Sequence, residues 1–125
     1  MNGDSWKVYY VLNCRHTTPP KNKYVITFKH SNEVYLGIFI NSSITDFARR
    51  SNHIRPCIVE ILEETNPYLH YDSYVNCSSV YRYTIDELVQ HVGYVSEDAQ
   101  MEVKKAITQC PSMKLKWKTS ILDKI

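Results

Sequence analysis

A chain of 125 residues with 15 Lys+Arg, 13 Asp+Glu, 43% hydrophobic and 22% charged residues has the size and balance of one globular domain, which excludes a disordered tail, a coiled coil and a fibre. No run of about 18 apolar residues occurs, and the opening Met1-Asn2-Gly3-Asp4-Ser5-Trp6 lacks the basic and apolar regions of a signal peptide, so a soluble, cytoplasmic protein without membrane contact is expected. The net charge of +2 hides a segregation: +5 over residues 1–58 (8 basic, 3 acidic), −6 over 59–112 (3 basic, 9 acidic) and +3 over 113–125 (4 basic, 1 acidic), a pattern that suits a basic, phosphate-holding face.

In chain order, residues from about 6 to 83 read as strands. Trp6, Val8, Tyr10 and Leu12 alternate with Lys7, Tyr9, Val11 and Asn13, the period of two that sends side chains to opposite faces of a sheet. The pattern returns at Tyr24, Ile26 and Phe28, at Val34 to Ile40, and at Cys57, Val59 and Ile61. The short polar pair Ser31-Asn32 between the second and third runs predicts an antiparallel hairpin. Ser73 to Tyr83 reads as one bent strand or two short ones. From about 84 to 123 the pattern turns helical. Thr84 and Glu87 form a capping box ahead of Ile85, Leu88, Val89 and Val92, with Gly93 as the stop. Ser96, Glu97 and Asp98 start a second helix whose stripe is Ala99, Val103, Ala106, Ile107 and Cys110, ended by Pro111. Met113, Trp117 and Ile121 mark a third. The expectation is a single α+β domain over 1–125: five or six short, mostly antiparallel strands in a small bent sheet or barrel, with C-terminal helices.

Cys14, Cys57, Cys77 and Cys110 have neither the spacing nor the histidine neighbours of a zinc module, and Cys57 and Cys77 read as free, buried hydrophobes. With only three glycines, no Walker loop or dinucleotide fingerprint can be assembled, and no Gly-x-Ser-x-Gly or His-Glu-x-x-His occurs. No metal and no cofactor are expected. Two clusters carry chemistry instead. The loop Cys14 to Lys23 places Arg15, Lys21 and Lys23 with His16 between two strands: cations for a phosphate and an imidazole for proton transfer, as metal-free RNA cleavage requires. The alternative is a solvated loop protecting a sheet edge. After the third strand, Asn41, Ser42 and Ser43 supply an amide and hydroxyls, with Arg49, Arg50, His53 and Arg55 behind them for an RNA backbone. One of the serines reads otherwise as the cap of a short helix carrying Phe47. Tyr71, among the tyrosines around His70, is a candidate for stacking on a base, and His70 reads as a hydrogen-bonded loop residue.

From Asp72-Ser73-Tyr74-Val75-Asn76-Cys77-Ser78-Ser79-Val80, through Asp86-Glu87-Leu88 and Val92-Gly93-Tyr94-Val95-Ser96, to Val103 and Ala106-Ile107, the order of features resembles the MazF/PemK (Kid) family of toxin ribonucleases. Gly3-Asp4 resembles the family's opening. The resemblance implies an SH3-like barrel, endoribonuclease activity on single-stranded RNA without metal, a homodimer, and masking by a cognate antitoxin. The family's catalytic Arg-Pro step at the entry to the second strand is met by Lys21-Asn22-Lys23, and its Thr-Ser at the end of the third by Asn41-Ser42-Ser43. A variant catalytic set follows: Arg15 or Lys21 as phosphate clamp, His16 as proton carrier, and Ser42 or Ser43 as positioning hydroxyl, with Lys23, Arg49, Arg50, Arg55 and Tyr71 binding RNA. The rival expectation is a non-catalytic interaction or RNA-binding module, an accessory subunit of a larger system whose Met113 to Leu122 segment docks a partner.

Overall fold

A computed structural model of the chain describes residues 4–125, so Gly3 of the Gly3-Asp4 opening lies outside the described residues. Among the described residues seven strands form one antiparallel sheet: β1 (Lys7–Cys14), β2 (Lys21–Lys29), β3 (Val34–Asn41), β4 (Ile58–Ile61), β5 (Ser73–Asn76), β6 (Tyr81–Thr84) and β7 (His91–Tyr94). The order is β4-β5-β3-β2-β1-β7, with β6 also on β3. The β2–β3 hairpin turns at Ser31-Asn32 as expected, pairing Tyr24 with Ile40 and Phe28 with Leu36. β5 and β6 take successive lengths of the same edge of β3, with Ile40 opposite Val75 and Gly37 opposite Tyr81, so the Ser73–Tyr83 run is two short strands.

Both faces of the sheet are buried, and they are buried differently. One side of β2 and β3 sends Ile26, Phe28, Leu36, Ile38 and Ile40 into the main core, where α2 (Glu97–Gln109) contributes Val103, Ala106 and Ile107. Each of these side chains larger than Ala106 contributes about 1.5–3 kcal/mol by leaving water. The alternate side chains, Val25 and Tyr35, join Val11, Cys14, Tyr83 and Leu88 in a smaller second core. Gly37 makes this second core possible, since a Cβ there would meet the Tyr83 ring at 2.5 Å and Val25 Cγ1 at 2.6 Å. Tyr35 and Tyr83 are buried there. At the end of β1, Asn13 takes a left-handed φ of 47° and the register shifts between Val11 and Cys14. This bulge turns the following loop over the second core.

Three expectations are corrected. The capping box at Thr84 and Glu87 is present, but it starts only a three-residue 3-10 turn, Ile85–Glu87. The following residues form β7, which pairs with the free edge of β1 (Lys7 with Tyr94, Val8 with Gly93). β-Branched and aromatic residues at 92, 94 and 95 suit that edge better than a helix, and Gly93 sits inside the strand, under the Tyr68 ring that a Cβ would meet at 2.7 Å. Second, Cys57 is not free: it is disulfide-bonded to Cys110, with Cα atoms 4.8 Å apart. It precedes β4, in a 3-10 turn (Arg55–Cys57), and Cys110 caps the C-terminus of α2. Cys14 and Cys77 are free and buried. Ser96 does cap α2, accepting from Ala99 N, and the third helix is α3 (Leu115–Leu122). The short helix α1 (Asp46–Arg50) is capped by Thr45, not by Ser42 or Ser43. Among the described residues no helix is long and apolar enough to cross a membrane.

Candidate functional site

Where β2 begins and β3 ends, two open clefts adjoin. One, of about 440 Å³, has Tyr10, Tyr24, Leu69, His70 and Tyr71 on its walls. The other, of about 520 Å³, has Lys21, Asn41, Ser43, Thr45 and Tyr74. Asn22, Lys23 and Ser42 belong to both, so the clefts form one trough with these three residues at its divide.

Lys23 is the charged centre of the trough. The hairpin register lays it opposite Asn41, whose Oδ1 accepts a hydrogen bond from Lys23 Nζ. The same ammonium lies 4.9 Å from the centroid of the Phe39 ring, an attraction between cation and ring face. Burial first, and then the nearby Lys21 cation, lowers the Lys23 pKa from its ordinary value. An anion entering the trough therefore meets a partly desolvated cation that gains from a countercharge. Ser42, Ser43 and His70 are exposed and have no side-chain hydrogen-bond partner among the described residues, so they stand available to a ligand, and His70 is not the hydrogen-bonded loop residue expected from the sequence. Among the described residues no three His, Cys, Asp or Glu side chains converge as a metal site.

Arg15 and His16 are positioned elsewhere. Phe39 stacks on Tyr81 at 4.5 Å between centroids, and Tyr81 faces His16 at 4.9 Å, so two aromatic rings separate His16 from Lys23. His16 donates through Nε2 to the Arg82 carbonyl at 2.9 Å. Arg15 donates through Nε to Glu87 Oε2 at 2.7 Å and through Nη2 to Glu87 Oε1 at 3.1 Å, and also reaches the Arg82 carbonyl at 3.0 Å. The guanidinium is thus already matched by a carboxylate, and both residues fasten the β1–β2 loop to β6.

The Arg15 hydrogen bond, helped by the Thr84 amide and opposed by partial burial, pulls the Glu87 pKa from 4.5 to about 2. A carboxyl depressed in the folded state stabilises above its unfolded pKa and loses that contribution as pH falls toward the folded one. The wild-type thermal midpoint should therefore decline more steeply between pH 4.5 and 2 than that of Glu87→Gln. Because Arg15 is 58% exposed, solvent screening keeps the difference small; parallel pH titrations of the two midpoints measure it.

Of the remaining sequence-derived residues, Lys21, Ser42, Ser43 and Tyr71 line the trough. Arg49, Arg50 and Arg55 do not: they are exposed on α1 and the turn before β4. Sequence reasoning missed Tyr10, Tyr24, Gln90 and the role of Asn66. Asn66 is fully buried. Its amide donates to the Leu62 carbonyl and Ser96 Oγ, and its Oδ1 accepts from Ser96 N and the Tyr68 hydroxyl. It thereby pins the loop carrying Leu69, His70 and Tyr71 to the start of α2. An Asn-Pro pair in a polar stretch signals a turn, not a buried hub, so only the fold reveals it.

The curled antiparallel sheet with helices at its C-terminal end defines an SH3-like α+β barrel. Solved structures with this architecture include an endoribonuclease in complex with its cognate antitoxin from a mycobacterial species, at TM-score 0.64 and 13% identity, covering 88% of this chain and 95% of that one. An endoribonuclease from a mycobacterial species matches at TM-score 0.60 and 13% identity (90% and 94% covered). The Mycobacterium tuberculosis toxin MazF-mt6 matches at 0.59 and 13% (86% and 98%). The chain has the fold of these endoribonucleases and of the toxin MazF-mt6. No protein-family model matches its sequence, and no curated protein does.

Proposed function

We propose that residues 1–125 form one MazF/PemK-like toxin domain that cleaves single-stranded RNA without a metal, in the cytoplasm, and is held in check by an antitoxin. The observation that carries this reading is the Lys23–Asn41 contact. It joins, at the divide of the trough, the two chain positions where the family resemblance places catalytic groups: the entry to β2 and the end of β3. In the reaction, a ribose 2′-hydroxyl attacks the adjacent phosphorus and the bond to the 5′-oxygen breaks, leaving a cyclic 2′,3′-phosphate and a 5′-hydroxyl. Lys21 and Lys23 stabilise the charge growing on the phosphoryl oxygens. Ser42, Ser43 and the Asn41 amide orient the phosphate, and His70 at the rim carries the proton from the attacking oxygen to the leaving one. Arg15 and His16 act on the loop rather than on the phosphate. The mycobacterial neighbour bound to its antitoxin supports a protein partner of that kind, and the family resemblance extends this to a homodimer.

Incubation of the purified protein with a long RNA in excess EDTA should release fragments with cyclic phosphate and 5′-hydroxyl ends. Binding that weakens steeply with salt but without cleavage would favour the RNA-binding alternative, to which the lysine in place of the family's arginine points. Neither cleavage nor binding would sink both.

A further inference from the structure

We propose that Cys57 and Cys110 are a reversible oxidation site: their disulfide braces one wall of the 520 Å³ cleft, so the oxidised protein holds RNA more tightly than the reduced one. This rests on the RNA reading above. In the cytoplasm of that reading thiols are kept reduced, and disulfides there are usually transient and redox-sensing rather than structural. The bond also stands where it can act on the trough. Ser42, Ser43, Ile44, Thr45 and Ala48, between β3 and β4, form that wall together with Ile58. Among the described residues 42–57 only Ala48 and Cys57 are buried. A stretch hung on two buried side chains is held largely by what Cys57 is bonded to.

Cys57 ends the 3-10 turn, and Ile58 after it starts β4, the outermost strand of the sheet, opposite Asn76 on the same cleft. The turn is joined to the end of α1 by Arg55 N, which donates to the Ser51 carbonyl at 2.9 Å. Cys110 lies at the C-terminus of α2, which is packed into the main core through Val103, Ala106 and Ile107. The bond thus ties a lightly held wall to a firmly held helix. Reduction frees the wall, and RNA must then order it on binding, which lowers affinity. The change is reversible because Ser112 Oγ donates to the His53 carbonyl at 2.8 Å and keeps the turn beside the end of α2 when the sulfurs part. Glutathione disulfide supplies the oxidising equivalents. One cysteine thiolate displaces a glutathione thiolate to give a mixed disulfide, the other cysteine displaces the second, and the two cysteine protons end on the two released glutathione thiols. Both cysteines are buried, so exchange proceeds through opening of the turn, whose Arg55 and Pro56 are exposed.

The test compares the oxidised protein, the same protein in excess reduced glutathione, and Cys57→Ala/Cys110→Ala. Its readouts are NMR order parameters of the backbone amides and binding of a fluorescent 2′-O-methyl RNA, which cannot be cleaved. On reduction the order parameters of residues 42–57 should fall from about 0.85 to below about 0.6 while those of β2 and β3 hold. RNA should bind the reduced form about five- to tenfold more weakly, and the double variant should match the reduced form with or without glutathione. Unchanged order at 42–57 overturns the brace, whether or not RNA binds. Order lost equally in β2 and β3 overturns it too, since the bond then supports the fold as a whole. Local loosening with equal RNA affinity overturns the control of the trough and leaves the RNA reading intact. If neither form binds RNA, the RNA reading falls and this control with it. A bond that mixtures of the two glutathione forms cannot titrate without denaturant also overturns the proposal.

Discussion

Lys23→Ala should lower the rate of RNA cleavage by about a hundredfold or more, the usual loss when one preorganised charge stabiliser leaves a reacting centre. Its folding stability should hardly change. The ammonium is half-buried and its pKa is lowered first by desolvation, so removing it also removes an unfavourable burial that offsets its contacts with Asn41 and Phe39. Lys23→Arg is the informative partner: the family resemblance expects a guanidinium at this entry to the second strand, and cleavage should survive that change. Single-turnover rates on a defined RNA, with thermal midpoints on the same preparations, separate the two effects. Cleavage by Lys23→Ala at the wild-type rate would remove the trough from the mechanism.

Loss of the Cys57–Cys110 bond should cost about 2–4 kcal/mol, because it closes a loop of 53 residues that is otherwise free to expand in the unfolded chain. For a chain of this size that corresponds to a fall of roughly 10 °C in the thermal midpoint. Urea midpoints of the wild type with and without reductant, and of Cys57→Ala/Cys110→Ala, measure it. Cys14 and Cys77 are free thiols with no bond to reduce, so a response to reductant reports on the Cys57–Cys110 bond. A midpoint indifferent to reductant would show that the bond does not form in solution.

Features that depend on neighbours in the chain were legible in the sequence. The Ser31-Asn32 turn fixes the register of β2 against β3, and that register by itself lays Lys23 opposite Asn41. Ser96, with two acids behind it, marks the start of α2 through orphan amides that any helix must satisfy. Features that depend on distant partners were not. The capping box at Thr84 is obeyed for one turn and then overruled, because β1 has a free edge that Val92 to Val95 can pair with. Arg15 reads as a phosphate clamp until Glu87, 72 residues on, takes its guanidinium. Cys57 sits in what reads as strand alternation, and nothing local points to a partner beyond α2. The trough was half legible: its basic and hydroxyl residues stand in two recognisable runs, whereas its aromatic wall is assembled from three separated elements.

Gly37 carries a consequence for how this sequence can drift. The Tyr83 ring occupies the space a side chain at 37 would need, with Val25 on the other side, and the Tyr83 hydroxyl lies 3.3 Å from Cys14 Sγ beneath the loop that Arg15 and His16 fasten. A methyl group at 37 is acceptable only in a chain that has already given up the ring at 83 or the bulk at 25. Inheritance at these positions is therefore joint: in diverging copies of this gene they should change together or not at all, and a glycine at 37 should travel with an aromatic ring at 83.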